Sequence, residues 1–175
     1  MRELQTAATI RPFEEEDAAE VCELFAAVNR ALSPPAMRGI FENYIVRSLA
    51  EEVGRITAYY GERMGGFWVA VRDGELVGMF GLELTSPGVL ELRRMYVDPS
   101  ARRAGIARSM LQFAEDECRA RKALTLELST SELQPAAIGL YEQAGYRLIK
   151  KVIADQGSNK TLGGGILRYH FEKSL

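Results

Sequence analysis

The chain has 175 residues, 47% of them hydrophobic, with 22 Lys and Arg against 24 Asp and Glu and a formal net charge of -2. That length suits one domain over 1–175 with material for a substantial core, and the charge balance argues against a dedicated nucleic-acid or anionic-membrane binder. The opening MRELQTAATIRPFEEE lacks the continuous apolar run of a leader, and no stretch approaches the roughly 18 apolar residues of a membrane span, so a cytoplasmic protein with no membrane partner is expected.

A short strand is expected over 8–13, closed by Pro12. Glu14 to Asp17 then suit the positive end of a helix in which Val21, Leu24, Phe25 and Val28 recur at helical spacing, broken by Ser33-Pro34-Pro35. A second helix is expected from 36 to about 60, with Ile40, Phe41, Tyr44, Ile45, Leu49 and Val53 near one face, ended by Gly65-Gly66. Period two follows. Strands over 67–72 and 75–84 flank the hairpin signal Asp73-Gly74, and a third over 89–97 is interrupted by the charged run Glu91, Arg93, Arg94.

From 104 to about 122 lies the clearest helix, with Ile106, Met110, Phe113, Ala114 and Cys118 in one stripe. Leu124, Leu126 and Leu128 alternate with polar residues, which predicts a strand with one buried face. A short helix over 135–143 starts at a proline and stops at Gly145, and strands over 146–153 and 166–172 complete the chain. This order predicts an α/β fold: a mixed, mostly antiparallel twisted sheet of about seven strands with helices on both faces. Cys22 and Cys118 fall in the expected helices among apolar neighbours, which predicts buried reduced thiols. With His170 as the single histidine, no metal site is expected.

Chemistry concentrates where the strand over 89–97 enters the helix over 104–122. A helix start presents unpaired N–H groups and a positive dipole end, so it receives an anion well. Gly105 removes a side chain there, Ala107 keeps the next turn small, and Arg102, Arg103 and Arg108 add positive charge. This favours a pyrophosphate held by main-chain amides, although an ordinary helix start with surface arginines fits the turn equally. The turn lacks the Gly-Lys-Ser/Thr of a Walker A loop and the three glycines of a Rossmann fingerprint.

The run Leu92-Arg93-Arg94-Met95-Tyr96-Val97-Asp98-Pro99, followed by Arg102, Gly105, Ile106 and Ala107, resembles the acyl-CoA signature of the GNAT N-acetyltransferases. The later run Ala136-Ala137-Ile138-Gly139-Leu140-Tyr141-Glu142-Gln143-Ala144-Gly145-Tyr146 resembles that family's second hallmark. The likeness in element order covers nearly the whole chain from residue 8. It implies an enzyme using acetyl-CoA and no metal. The backbone of Met95, Tyr96 and Val97 would pair with the pantetheine arm. The turn Arg102, Arg103, Ala104, Gly105, Ile106, Ala107 and Arg108 would hold the pyrophosphate. Tyr141 would sit beside the sulfur and protonate the departing thiolate, and Glu91 would act as general base, with Glu83 as its rival.

Each residue also has a plainer reading. Tyr141 suits an amphipathic core position, and Glu91 could simply pair with Arg93. Arg93 and Arg94 read as strand-surface residues and His170 as a packing or edge residue. The sequence departs from the family pattern at Gln134, where an asparagine is usual before the second hallmark and the glutamine either holds the pantetheine in its place or loses that contact, at Ala107, where glycine is commoner, and at Tyr146, where phenylalanine is usual. The acceptor is expected to be a small-molecule or peptide amine, with its pocket built by 28–45 and 154–165. Arg30, Arg38 and Arg47 could meet an acidic acceptor, but Glu42 and Asp155 lie in the same segments, so the choice stays open. The pattern leaves room for a homodimer, and for a second reading in which the chain is a non-catalytic acyl-CoA-binding sensor or accessory module.

Overall fold

The computed structural model describes residues 6–175; residues 1–5, part of the stretch read above for a leader, lie outside the described residues. Seven strands form one sheet in the order β1-β2-β3-β4-β5-β7-β6. They are β1 Thr9–Pro12, β2 Gly66–Arg72, β3 Glu75–Ser86, β4 Val89–Val97, β5 Thr125–Ser131, β6 Arg147–Ala154 and β7 Ile166–Ser174. Every neighbouring pair is antiparallel except β4 and β5, which run parallel. The parallel pair is joined through a crossover helix, as parallel strands require.

The period-two pattern sorts side chains to two cores. Trp68, Ala70, Phe80, Leu82, Leu90, Leu92, Leu126 and Leu128 pack with Met110, Ala114 and Cys118 of α4 (Ile106–Ala120) and Tyr141 of α5 (Pro135–Gln143). Phe67, Val69 and Met79 pack on the opposite face with α1 (Ala18–Leu32), α2 (Arg38–Glu51) and α3 (Ile56–Glu62). The mixed, mostly antiparallel sheet with helices on both faces is therefore as expected.

Three local expectations need correction. The helix expected over 36–60 is broken at Glu52, whose φ of -139° and ψ of -67° leave the helical region, and a 3-10 turn Val53–Arg55 precedes α3. A Cβ at Gly54 would collide with the Leu49 carbonyl oxygen, so the chain packs back on itself at a residue that also favours helix poorly. Leu124 is 72% exposed and precedes β5, because its N–H donates to the Gly88 carbonyl in a turn rather than to the ladder. Cys118 is buried as expected, but Cys22 is only half-buried, its Sγ 3.6 Å from the Val53 carbonyl oxygen.

Candidate functional site

Strands β4 and β5 pair over three positions only, from Val89 opposite Thr125 to Glu91 opposite Glu127. Beyond that point they part, and an open cleft of about 90 Å³ lies between and above them. Its walls include Glu91 and Arg93 to Tyr96 of β4, Ser129 to Ser131 of β5, and Gln134 and Tyr141. Asn29, Tyr44, Asn159, Lys160 and Arg168 close it from the other face. Both segments expected to build an acceptor pocket, 28–45 and 154–165, contribute lining residues.

A β-bulge shapes the β4 side. Gly81 faces Arg93 while Met79 faces Tyr96, so two steps along β3 match three along β4. The extra residue is Arg94, at φ 55°. The bulge shifts the alternation by one residue. Arg93 and Arg94 consequently point to the same face, towards α1–α3, and beyond them Met95 joins the α4 core while Tyr96 joins the opposite one.

Both arginines are buried, which corrects the expectation of surface positions. They converge on Glu52, a fully buried carboxylate at the break after α2: Arg93 Nη2 donates to Oε1 and Arg94 Nε to Oε2. Tyr60 donates its hydroxyl to Oε2 at 3.2 Å, its ring lying against Gly81, where a Cβ would clash with it. Arg94 also donates to the Tyr44 hydroxyl at 2.6 Å and to the Asn159 carbonyl. Burial opposes the Arg94 cation, but Tyr44 and Glu52 outweigh it and hold its pKa well above the ordinary value. Sequence reasoning missed Glu52 altogether. The signal was present as two adjacent arginines in a strand of period two, a pattern that a regular strand cannot bury on one face.

The two candidate bases differ in place. Glu91 lines the cleft and pairs with Lys160 at 3.1 Å and, more loosely, with Arg93 at 3.9 Å. Glu83 lies deeper, 3% exposed, held by Lys160 at 2.6 Å and Arg93 at 3.5 Å, and is not part of the lining. Burial pushes the Glu83 carboxyl up, but the Lys160 hydrogen bond and the charges of Arg93 and Lys160 prevail and keep it below the usual carboxylate range. A carboxylate so held is a weak proton acceptor.

Tyr141 reaches the cleft from α5, its ring 5.9 Å from Tyr146 and 6.0 Å from Phe171. Its hydroxyl makes no hydrogen bond to another described residue, and burial, with Tyr96 nearby, pushes its pKa up. The phenol is therefore neutral near neutral pH. Burial and Tyr44 likewise push Tyr96 up to about 12. The departure at Tyr146 has a structural reason, since its hydroxyl donates to buried Glu115 at 3.0 Å and ties β6 to α4. His170 is half-buried on β7, as expected of a packing residue, and burial with Lys150 and Arg168 nearby lowers its pKa.

At the α4 end, Gly105 stands at the N-cap with φ 76° and ψ 8°, and Arg103 before it has φ 64°. The first helical bond comes from Ser109 to the Gly105 carbonyl, and no side chain caps the helix, so the amides of Ile106, Ala107 and Arg108 are left without intrahelical partners. Arg102, Arg103, Ala104 and Gly105 are exposed beside them. Gln134 lines the cleft, but its Oε1 accepts from Thr130 at 2.8 Å, which leaves its amide nitrogen for a ligand. Arg30, Arg38 and Arg47 are exposed and do not line the cleft, and Arg30 is paired with Glu42 at 2.7 Å. Among the described residues no cluster of His, Cys, Asp and Glu could hold a metal ion, and no helix is long and apolar enough to cross a membrane.

Comparison with known proteins adds four findings. The model of the Acetyltransferase (GNAT) family matches residues 12–146. An IAA acetyltransferase of Azospirillum brasilense is 36% identical over 110 residues, 62% of this chain and 67% of that protein. N-acetyltransferase 8 of Homo sapiens is 34% identical over 114 residues, 59% of this chain and 48% of that protein, so the match spans about half of its length. The crystal structure of PaiA N-acetyltransferase from Thermoplasma acidophilum in complex with coenzyme A shares the fold, with a TM-score of 0.75 and 18% identity over 97% of this chain and 100% of that one.

Proposed function

The chain belongs to the GNAT acetyltransferase family, and from that premise we propose that it is an acetyl-CoA-dependent N-acetyltransferase in which a primary amine attacks the thioester directly. The reading rests on one observation: the β4 edge freed where β4 and β5 part, Gln134 and Tyr141 all line one cleft. These donors fit acetyl-CoA. The unpaired amides from Ile106 to Arg108, with Arg102, Arg103 and Arg108 around them, suit a pyrophosphate. The edge of β4 at Met95, Tyr96 and Val97, no longer paired with β5, suits the pantetheine amides as an added strand would.

Acetyl-CoA supplies the acyl thioester. Glu91 takes the proton that the acceptor amine must lose as its nitrogen bonds to the acyl carbon, directly or through a water. Lys160 beside it holds the carboxylate in place. Tyr141 gives its proton to the sulfur as the carbon–sulfur bond breaks, and it recovers one from solvent. Neither cysteine takes part. Burial pushes Cys118 up to about 12 and Cys22 above its ordinary value, so both remain thiols.

The test is thiol release from acetyl-CoA over a broad panel of primary amines, run beside calorimetric titration with CoA. Turnover supports the enzyme. Tight CoA binding with no turnover on any amine would replace it with the non-catalytic binding module.

A further inference from the structure

The sheet face opposite α4 carries most of the charge in the cleft. Glu83, Glu91, Arg93, Ser129 and Arg168 share that face, and Asn159 and Lys160 close over it. Within this layer the cations other than Arg168 have carboxylate partners. Arg93 and Arg94 meet Glu52, and Lys160 meets Glu83 and Glu91. Arg168 is the exception. Among the described residues no carboxylate pairs with it.

Arg168 stands on β7 between Leu167 and Tyr169, and Tyr169 and Phe171 turn to the α4 side. Alternation therefore sends Arg168 to the acceptor face, away from the helix start that suits the pyrophosphate. One of its five donors is used: Nη2 donates to Ser129 Oγ at 2.8 Å. Its Nε is buried with no partner at all. Burial, with Arg93 and Arg94 nearby, pushes the Arg168 pKa below the ordinary value, so the charged form is held at a cost. Water could satisfy the free N–H, but it would leave the charge unmatched. An anion in the cleft supplies both the acceptor atoms and the missing charge.

We propose that the acceptor is a primary amine that also bears a carboxylate, and that Arg168 binds that carboxylate and so sets the choice of acceptor. The inference rests on the acetyltransferase reading for the amine, while the carboxylate rests on Arg168 alone. The geometry divides the acceptor between two groups of one cleft, with its amine at Glu91 and its acid at Arg168. A neutral amine would leave Arg168 as unmatched as it is in the free protein.

The experiment compares amino acids with their own carboxamides as acceptors, using the wild-type chain, Arg168→Met and Arg168→Lys. The wild type should favour the acids by roughly 10- to 100-fold in kcat/KM, the range expected for a hydrogen-bonded charge. Arg168→Met should bring that ratio close to one through the acceptor KM, with the acetyl-CoA KM unchanged, and Arg168→Lys should restore part of the preference. A wild type that favours the carboxamides, a preference that survives Arg168→Met, or a change in the acetyl-CoA KM instead would overturn the proposal. If no amine is turned over, the acetyltransferase reading fails and a second measurement decides for Arg168. The Nε–H signal lost in Arg168→Lys is followed in the 15N-labelled wild type on titration with propionate. A saturating shift supports a carboxylate site, and an unmoved signal overturns it.

Discussion

The α4 start and the cleft are built from different materials. At the α4 start the free groups are main-chain amides around Gly105, flanked by arginines that are exposed. In the cleft they are charged side chains drawn from residues as distant as Arg94 and Arg168, the former held by buried Glu52. A main-chain site tolerates exposure because backbone geometry fixes its donors. A side-chain site needs burial and neutralising partners to hold its charges in place. A site of the first kind can serve one common ligand in many proteins, whereas a site of the second kind suits a particular ligand.

The contrast can be broken most severely at Glu52. Glu52→Ala leaves Arg93 and Arg94 buried without their shared carboxylate, and stability should fall by about 3–5 kcal/mol in equilibrium denaturation. A loss below 1 kcal/mol would mean that the side-chain site does not depend on this pairing. Tyr141→Phe comes next, in the cleft wall. It should lower kcat about 100-fold while calorimetry shows CoA binding unchanged. Full activity in that variant would remove Tyr141 from the proton-donor role.

Gly105→Ala probes the main-chain site. Its φ of 76° strains any side chain, while no atom lies within 4 Å of the added Cβ. The cost should therefore be strain alone, about 1 kcal/mol, accompanied by weaker CoA binding. The smallest effect is in pH. The Glu83 carboxyl is held below its ordinary value of 4.5, so its contribution to stability is full above that pH and is lost as the pH falls through the lowered value. Glu83→Gln should flatten the acid limb of the stability profile, and an unchanged limb would assign the acid sensitivity elsewhere.

The same contrast explains what could be read from the sequence. Strand and helix order, the two faces of the sheet and the α4 turn follow from short-range patterns: period two in 67–84, the apolar stripe from Ile106 to Cys118, and a glycine at a helix start. The second hallmark brought Tyr141 to the cleft for the same reason. Glu52, Lys160 and Arg168 carry no such pattern. Each is one charged residue in an unremarkable stretch, and only the folded sheet gathers them. Arg93 and Arg94 were visible but misplaced on the surface, because strict alternation cannot put both on a buried face without the bulge at Arg94. The break in the second helix was hidden similarly, since Ile40 to Val53 keep helical spacing up to the turn at Gly54.

The meeting of two arginines on one buried glutamate also limits how this chain can drift. Changing Glu52 alone strands two cations in the interior, and changing either arginine removes part of what satisfies the buried carboxylate, whereas exchanging all three for apolar residues of matching volume leaves none of these groups unmet. Single steps in either direction cross a valley between two workable solutions. A library randomised at these three positions and selected for folding should return the charged trio or wholly apolar sets, with the mixed combinations depleted. The trio behaves as one inherited character spread over three codons.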